Sequence, residues 1–178
     1  MMYGLLIFVG LLSFWMLYRN TGEQQLESHY VQEEVDTAPL SPEQIKLIQD
    51  SWALVLPIKV KAAELFYARL FELDPTAKAL FKGKLDFQGD KLMTTISVVV
   101  DSLNDLESVV PILHAMGKRH IIYKVRAEQY DIVGAAFLWV LEQGLGDLFT
   151  KETKEAWTIA YGIIASVMLE AYSESDLD

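Results

Sequence analysis

From Ile45 to Ala171 the apolar residues recur every three or four positions, and nowhere in that span do they alternate over the length of a strand. A period near 3.6 residues lines such side chains along one face of a helix, whereas a half-buried strand needs a period of two. The same span carries no Asn-Gly hairpin signal and no internal repeat. An all-α domain over 41–172 follows, with seven or eight helices of unequal length rather than a symmetric bundle. Ser41-Pro42-Glu43-Gln44 is a strong start, because Ser41 can cap, Pro42 suits the first helical position and Gln44 completes a capping box. Ile45, Ile48, Trp52 and Val55 then form one stripe. Pro57 interrupts it, a second helix is expected over 62–73, and Asp74-Pro75 caps a short piece ending at Leu80-Phe81. Further helices are expected over about 86–103, 107–121, 126–142 and 150–171.

The flanks differ in kind. Residues 1–18 hold no ionisable side chain, and nine of them are Leu, Ile, Val or Phe. At roughly 0.3–0.6 kcal/mol for each such residue, membrane insertion gains about 3–5 kcal/mol. Eighteen helical residues reach about 27 Å, enough to cross a hydrocarbon core. A cleaved signal peptide and a buried core helix are the competing readings. A signal peptide wants a basic residue before its apolar run; here none precedes it, and Trp15, Tyr18 and Arg19 at its exit suit a membrane interface. Residues 1–19 therefore read as a single-pass membrane anchor (or an uncleaved signal), with Arg19 favouring a cytoplasmic body. Residues 20–40 hold five acids and no Lys or Arg, the composition of an acidic tether, and 173–178 read as an acidic tail. Over all 178 residues, 15 Lys and Arg stand against 25 Asp and Glu, a formal charge of −10. That excess excludes a binder driven by nucleic-acid phosphates. Cysteine is absent, which removes disulfides, thiolate metal sites and a cysteine nucleophile.

The common catalytic fingerprints are missing: no phosphate-binding P-loop, no paired-glycine dinucleotide motif, no Gly-x-Ser-x-Gly elbow and no His-Glu-x-x-His pair. Of the three histidines, His29 lies in the tether. His114 and His120 are six apart and so point to different faces of a helix; they cannot share one metal ion. Taken singly, a helical histidine, a tyrosine in an apolar helix or a glutamine at a helix start is usually structural or solvated.

Taken together they carry more. LFYARLFELDP, with Tyr67, resembles the second helix of bacterial single-domain globins and flavohaemoglobins, and Trp52 resembles a first-helix tryptophan of neuroglobin-like globins. ALFKG places Phe81 at the haem-packing phenylalanine, and QGDKLMTTISVVVDSLNDL resembles the distal helix, with Gln88 and Leu92 facing the ligand. MGKRHIIYKVRAEQYDIVG matches the proximal stretch, with His120 as iron ligand and Tyr130 ten residues on, and AWTIAYGIIASVM resembles the last helix. The spacings hold without insertions: Phe81 follows Tyr67 by 14 and His120 follows Gln88 by 32. The chain thus resembles a globin from 41 to 172.

The resemblance implies a globin fold around haem b, with iron held by His120. It implies Tyr67 and Gln88 as hydrogen-bond donors to a bound gas, and Phe81, Leu92, Met116, Val125, Tyr130 and Val133 as haem contacts. Lys91 would reach a haem propionate or be a solvated lysine, and Met116 would pack under the porphyrin or fill core. Two distal donors imply slow dioxygen release. Flavohaemoglobins place a glutamate near the proximal histidine; the matching register here is Tyr172, which puts strong electron push in doubt. The expected function is a membrane-tethered globin that binds dioxygen reversibly. Nitric oxide dioxygenase activity would need a separate reductase, and a terminal oxidase is another expected partner. A gas or redox sensor and a haem-free scaffold are the alternatives.

Overall fold

The computed structural model describes residues 40–81 and 85–175, helical throughout with no strand among them. Six α-helices appear in order: α1 (Pro42–Val55), α2 (Lys59–Leu73), α3 (Leu85–Asp101), α4 (Val110–Ile122), α5 (Gln129–Leu145) and α6 (Lys151–Ser175). Short 3₁₀ segments at Leu56–Ile58, Pro75–Leu80, Leu103–Ser108 and Gly146–Leu148 join them. Counting the two six-residue 3₁₀ segments gives the eight pieces expected. No helix among the described residues is long and apolar enough to cross a membrane. The anchor and the tether expected at 1–19 and 20–40 lie outside the described residues, apart from the buried Leu40.

Local chemistry sets the ends. Ser41 Oγ accepts from Gln44 N at 3.2 Å while Gln44 Oε1 accepts from Ser41 N at 2.8 Å, the expected capping box. Asp74 accepts from the Thr76 N–H at 2.9 Å and so starts the 3₁₀ turn at Pro75. Two boundaries differ from expectation. The helix expected from 107 starts at Val110, because Asp105 leaves helical geometry at φ −146° and Pro111 fits the first turn of a new helix. The last helix runs through Ser175, so the expected acidic tail begins as helix.

The expected stripe of Ile45, Ile48, Trp52 and Val55 is buried. Trp52 stands edge-on to Trp157 of α6, and Phe137 of α5 stands edge-on to Trp157 in turn. Their N–H groups are answered: Trp157 Nε1 donates to Ser51 Oγ at 2.9 Å, and Trp52 Nε1 donates to Ser97 Oγ at 3.0 Å. Helix α4 lies against α6 at Gly117, where a Cβ would stand 2.2 Å from the Met168 carbonyl oxygen. That contact brings the two backbones together and seats the helix carrying His120.

Candidate functional site

A cavity of about 180 Å³, partly open to solvent, lies among α3, α4, α5 and α6. From α3 come Leu92, Thr95, Ile96 and Val99; from α4, Met116 and His120; from the following loop and α5, Val125, Tyr130 and Val133. The lining is almost wholly apolar, which excludes water from whatever polar group it holds.

His120 is the group with coordinating chemistry there. Its Nδ1 lies 2.8 Å from the Met116 carbonyl oxygen. A carbonyl can only accept, so Nδ1 carries the proton and the neutral ring keeps its lone pair on Nε2. A metal ligand needs this state, with the second nitrogen fixing ring orientation. Among the described residues no group of three or more His, Cys, Asp or Glu side chains could hold a bare metal ion.

Tyrosines surround the histidine. The rings of Tyr130 and Tyr123 lie 6.1 Å and 6.5 Å from that of His120, and Tyr172 stands edge-on to Tyr130 at 6.0 Å. The Tyr130 hydroxyl is buried without a hydrogen bond of regular geometry. Burial first, then the neighbouring Tyr172 hydroxyl, raise it above the usual phenol range. Tyr172 donates to the Val125 carbonyl at 3.0 Å, pinning the loop that follows His120. Tyr161 donates to the Tyr130 carbonyl, and its ring crosses so close to Gly134 that a Cβ there would stand 2.5 Å from it.

Six of the expected site residues meet at this cavity: Leu92, Met116, His120, Val125, Tyr130 and Val133. Four do not line it. Tyr67 opens instead onto a second cavity between α2 and α3, lined also by Ala63, Phe71, Gly89 and Met93. Neighbouring helical residues point about 100° apart, and it is Phe66 that faces the His120 cavity. Phe81 packs against Tyr67 and Phe71 at 5.2 Å and 5.7 Å, ring to ring. Gln88, half-buried in the first turns of α3, lines neither cavity. Lys91 is exposed and lies over the Phe87 ring, 4.4 Å from its centre.

Sequence reasoning missed a buried polar link. Gln129 lines the cavity, and its Nε2 donates to Asp74 Oδ2 at 2.6 Å while its Oε1 accepts from Arg126 N at 3.0 Å. The link ties the end of α2 to the loop after His120. The Thr76 hydroxyl first and the Gln129 amide second hold the Asp74 carboxyl below the usual carboxylate range. A glutamine at a helix start normally faces solvent, so its residue type gave no warning.

A globin family model matches residues 64–168, more than half of the chain and all of the His120 cavity lining except Ile48. The chain belongs to the globin family. Neuroglobin of Danio rerio is 29% identical over 151 residues, covering 76% of this globin and 94% of the relative. Neuroglobin of Chaenocephalus aceratus is 28% identical over 153 residues, covering 78% and 96%. The globin fold brings His120 of α4 and Leu92 of α3 into the lining of one cavity.

Proposed function

We propose that this globin holds haem b in the His120 cavity and binds dioxygen reversibly there. The observation that carries the reading is the His120 ring, whose Nδ1 is committed to the Met116 carbonyl within an apolar cavity. Haem, when bound, would be held by His120 and would supply an iron able to take up a diatomic gas. The Met116 carbonyl sets the orientation and basicity of His120. Tyr172, through the Val125 carbonyl, holds the proximal loop. Leu92, Ile96 and Val99 line the same cavity with apolar side chains and keep water out. Phe81 and Lys91, as further haem contacts, belong to the same proposal.

Tyr67 and Gln88 are assigned as donors to the gas. Gln88 stands one turn before Leu92 on α3, and Tyr67 follows Phe66 on α2; Leu92 and Phe66 both line the cavity. No described group hydrogen-bonds to the Tyr67 hydroxyl. Nitric oxide conversion with an outside reductase is an extension of this reading, tested by stopped-flow mixing of the gassed protein with nitric oxide. The anchor at 1–19 and the tether at 20–40 are proposed from sequence alone and are tested by alkaline extraction of membranes.

Titration of the full chain with ferric haem should end at one equivalent. After reduction, its visible bands should shift reversibly between gas-free and air-equilibrated forms. His120→Ala should cost at least ~100-fold in haem affinity, since even the partners of a ligand are worth about 10–100-fold. A full chain that folds by circular dichroism yet stays colourless with haem supplied overturns the proposal.

A further inference from the structure

The outer face of α4 and the turn after it has a charge pattern opposite to that of the chain as a whole. Residues 108–127 contain no Asp or Glu, yet they hold Lys118, Arg119, Lys124 and Arg126 in a protein of net charge −10. The buried side of α4 is set by Leu113 and Gly117, which leaves Arg119, Ile122 and Tyr123 together on the outer side at i, i+3 and i+4. Ile122 is 74% exposed and Tyr123 60%. Directly after them Lys124 adopts φ +64°, the one left-handed non-glycine among the described residues, with its N–H donating to the Ile121 carbonyl at 2.8 Å. That turn presents Ile122 and Tyr123 outward instead of folding them onto the core.

The face also ends at the cavity. The exposed Tyr123 ring stands 6.5 Å from the His120 ring, and Val125, between the two cations of the turn, lines the cavity. A protein seated there would stand one aromatic contact from the histidine.

We propose that this face docks an acidic one-electron carrier protein, whose carboxylates meet Arg119, Lys124 and Arg126 around an apolar contact at Ile122 and Tyr123. The step needs no proton and breaks no bond: one electron leaves the carrier's reduced centre, which is oxidised, and the ferric iron of the cavity becomes ferrous. The electron transfer rests on the haem reading above; the docking does not. Arginine and tyrosine around an apolar centre are typical of protein interfaces. An anionic bilayer fits less well. Surface polybasic binders use about 4–8 cations, whereas the docking face carries three, Arg119, Lys124 and Arg126. A lipid plane also meets the whole acidic chain, while a protein can carry its acids only opposite these cations.

The test uses the full chain with a plant-type [2Fe–2S] ferredoxin as the acidic carrier. Fluorescence anisotropy reads docking with or without haem, and stopped-flow absorbance reads reduction of the ferric form. Docking and reduction should both weaken about ten-fold or more as salt rises from ~0.05 to ~0.5 M, where the screening length shrinks from ~14 to ~4 Å. Lys124→Glu with Arg126→Glu should weaken both similarly at low salt, and Ile122→Ser should weaken docking at all salts. Reduction by dithionite and dioxygen affinity should not change in these variants. A chain that takes no haem but docks the ferredoxin through these residues sinks the haem reading and leaves the docking standing. Docking indifferent to salt and to charge reversal overturns the proposal, as does protection of Lys124 from acylation by phosphatidylserine vesicles and not by the ferredoxin.

Discussion

The tryptophan side and the tyrosine side of this globin differ in how they treat polar atoms. Between α1, α3 and α6, both indole N–H groups find serine hydroxyls, and Ser51 and Ser97 pass the bond on to the Leu47 and Met93 carbonyls. Around the two cavities, Tyr161 and Tyr172 bond to backbone carbonyls, but no described group hydrogen-bonds to the Tyr67 hydroxyl and the buried Tyr130 hydroxyl has no bond of regular geometry. A buried polar group without a partner costs about 1–3 kcal/mol. The indole bonds fasten α1 to α3 and α6, while Tyr130 and Tyr67 each line a cavity.

Substitutions break or sharpen that contrast. Trp157→Ala should have the largest effect, a loss of about 3–5 kcal/mol in urea unfolding, because it opens a cavity and strands Ser51. A loss below about 1 kcal/mol would show that the tryptophan side is not the stabilising one. Gly117→Ala should cost about 1–3 kcal/mol by forcing α4 off the Met168 carbonyl. It should also lower haem affinity, measured by transfer to an apo-globin competitor, because His120 rides on the same helix.

Asp74 tests the polar link through acid. Its folded carboxyl lies below the ordinary range, so the unfolded chain takes up the proton more readily. The stabilisation is whole above the ordinary carboxylate pKa of about 3.9 and is lost as pH falls through the lower folded value. Asp74→Asn should flatten this part of the acid unfolding curve, whereas Asp50→Asn on the exposed surface should leave it intact. The smallest effect is expected from Tyr67→Phe. With no hydrogen bond to lose, its stability at neutral pH should move by about 0.5 kcal/mol or less. Burial pushes the Tyr67 phenol up to about 12, so the wild type loses stability as pH rises from the unfolded value near 10 towards 12. The phenylalanine variant should lose one late-titrating phenol in ultraviolet absorbance and part of that alkaline loss.

Most of the fold could be read from the chain. The capping box at Ser41, the stripe from Ile45 to Val55 and the turn at Asp74-Pro75 are local features, fixed by neighbours within a few residues, and the structure has them as expected. Six residues that line the cavity were readable through the resemblance to globins, whose motifs run in order along the chain. Two kinds of feature were not. The start of α4 at Val110 depends on a backbone break at Asp105, which no periodicity signals. The link from Asp74 to Gln129 joins residues 55 apart, and only the packing of α2 beside α5 brings them within a hydrogen bond.

Tyr67 marks the same boundary from the other side. By itself the sequence determined that this chain is helical, that it carries the residues of a globin and that His120 lies in register with Met116, because each of these is a matter of spacing along one helix. Which cavity a side chain enters is a matter of where helices cross. Ala63 and Gly89 meet so closely between α2 and α3 that a Cβ on Gly89 would stand 2.9 Å from that of Ala63. With α2 held at that crossing, Phe66 faces His120 and Tyr67 faces the groove between the two helices. Only the tertiary structure decided that, because helix crossings are set by contacts between distant segments and leave no period in the sequence.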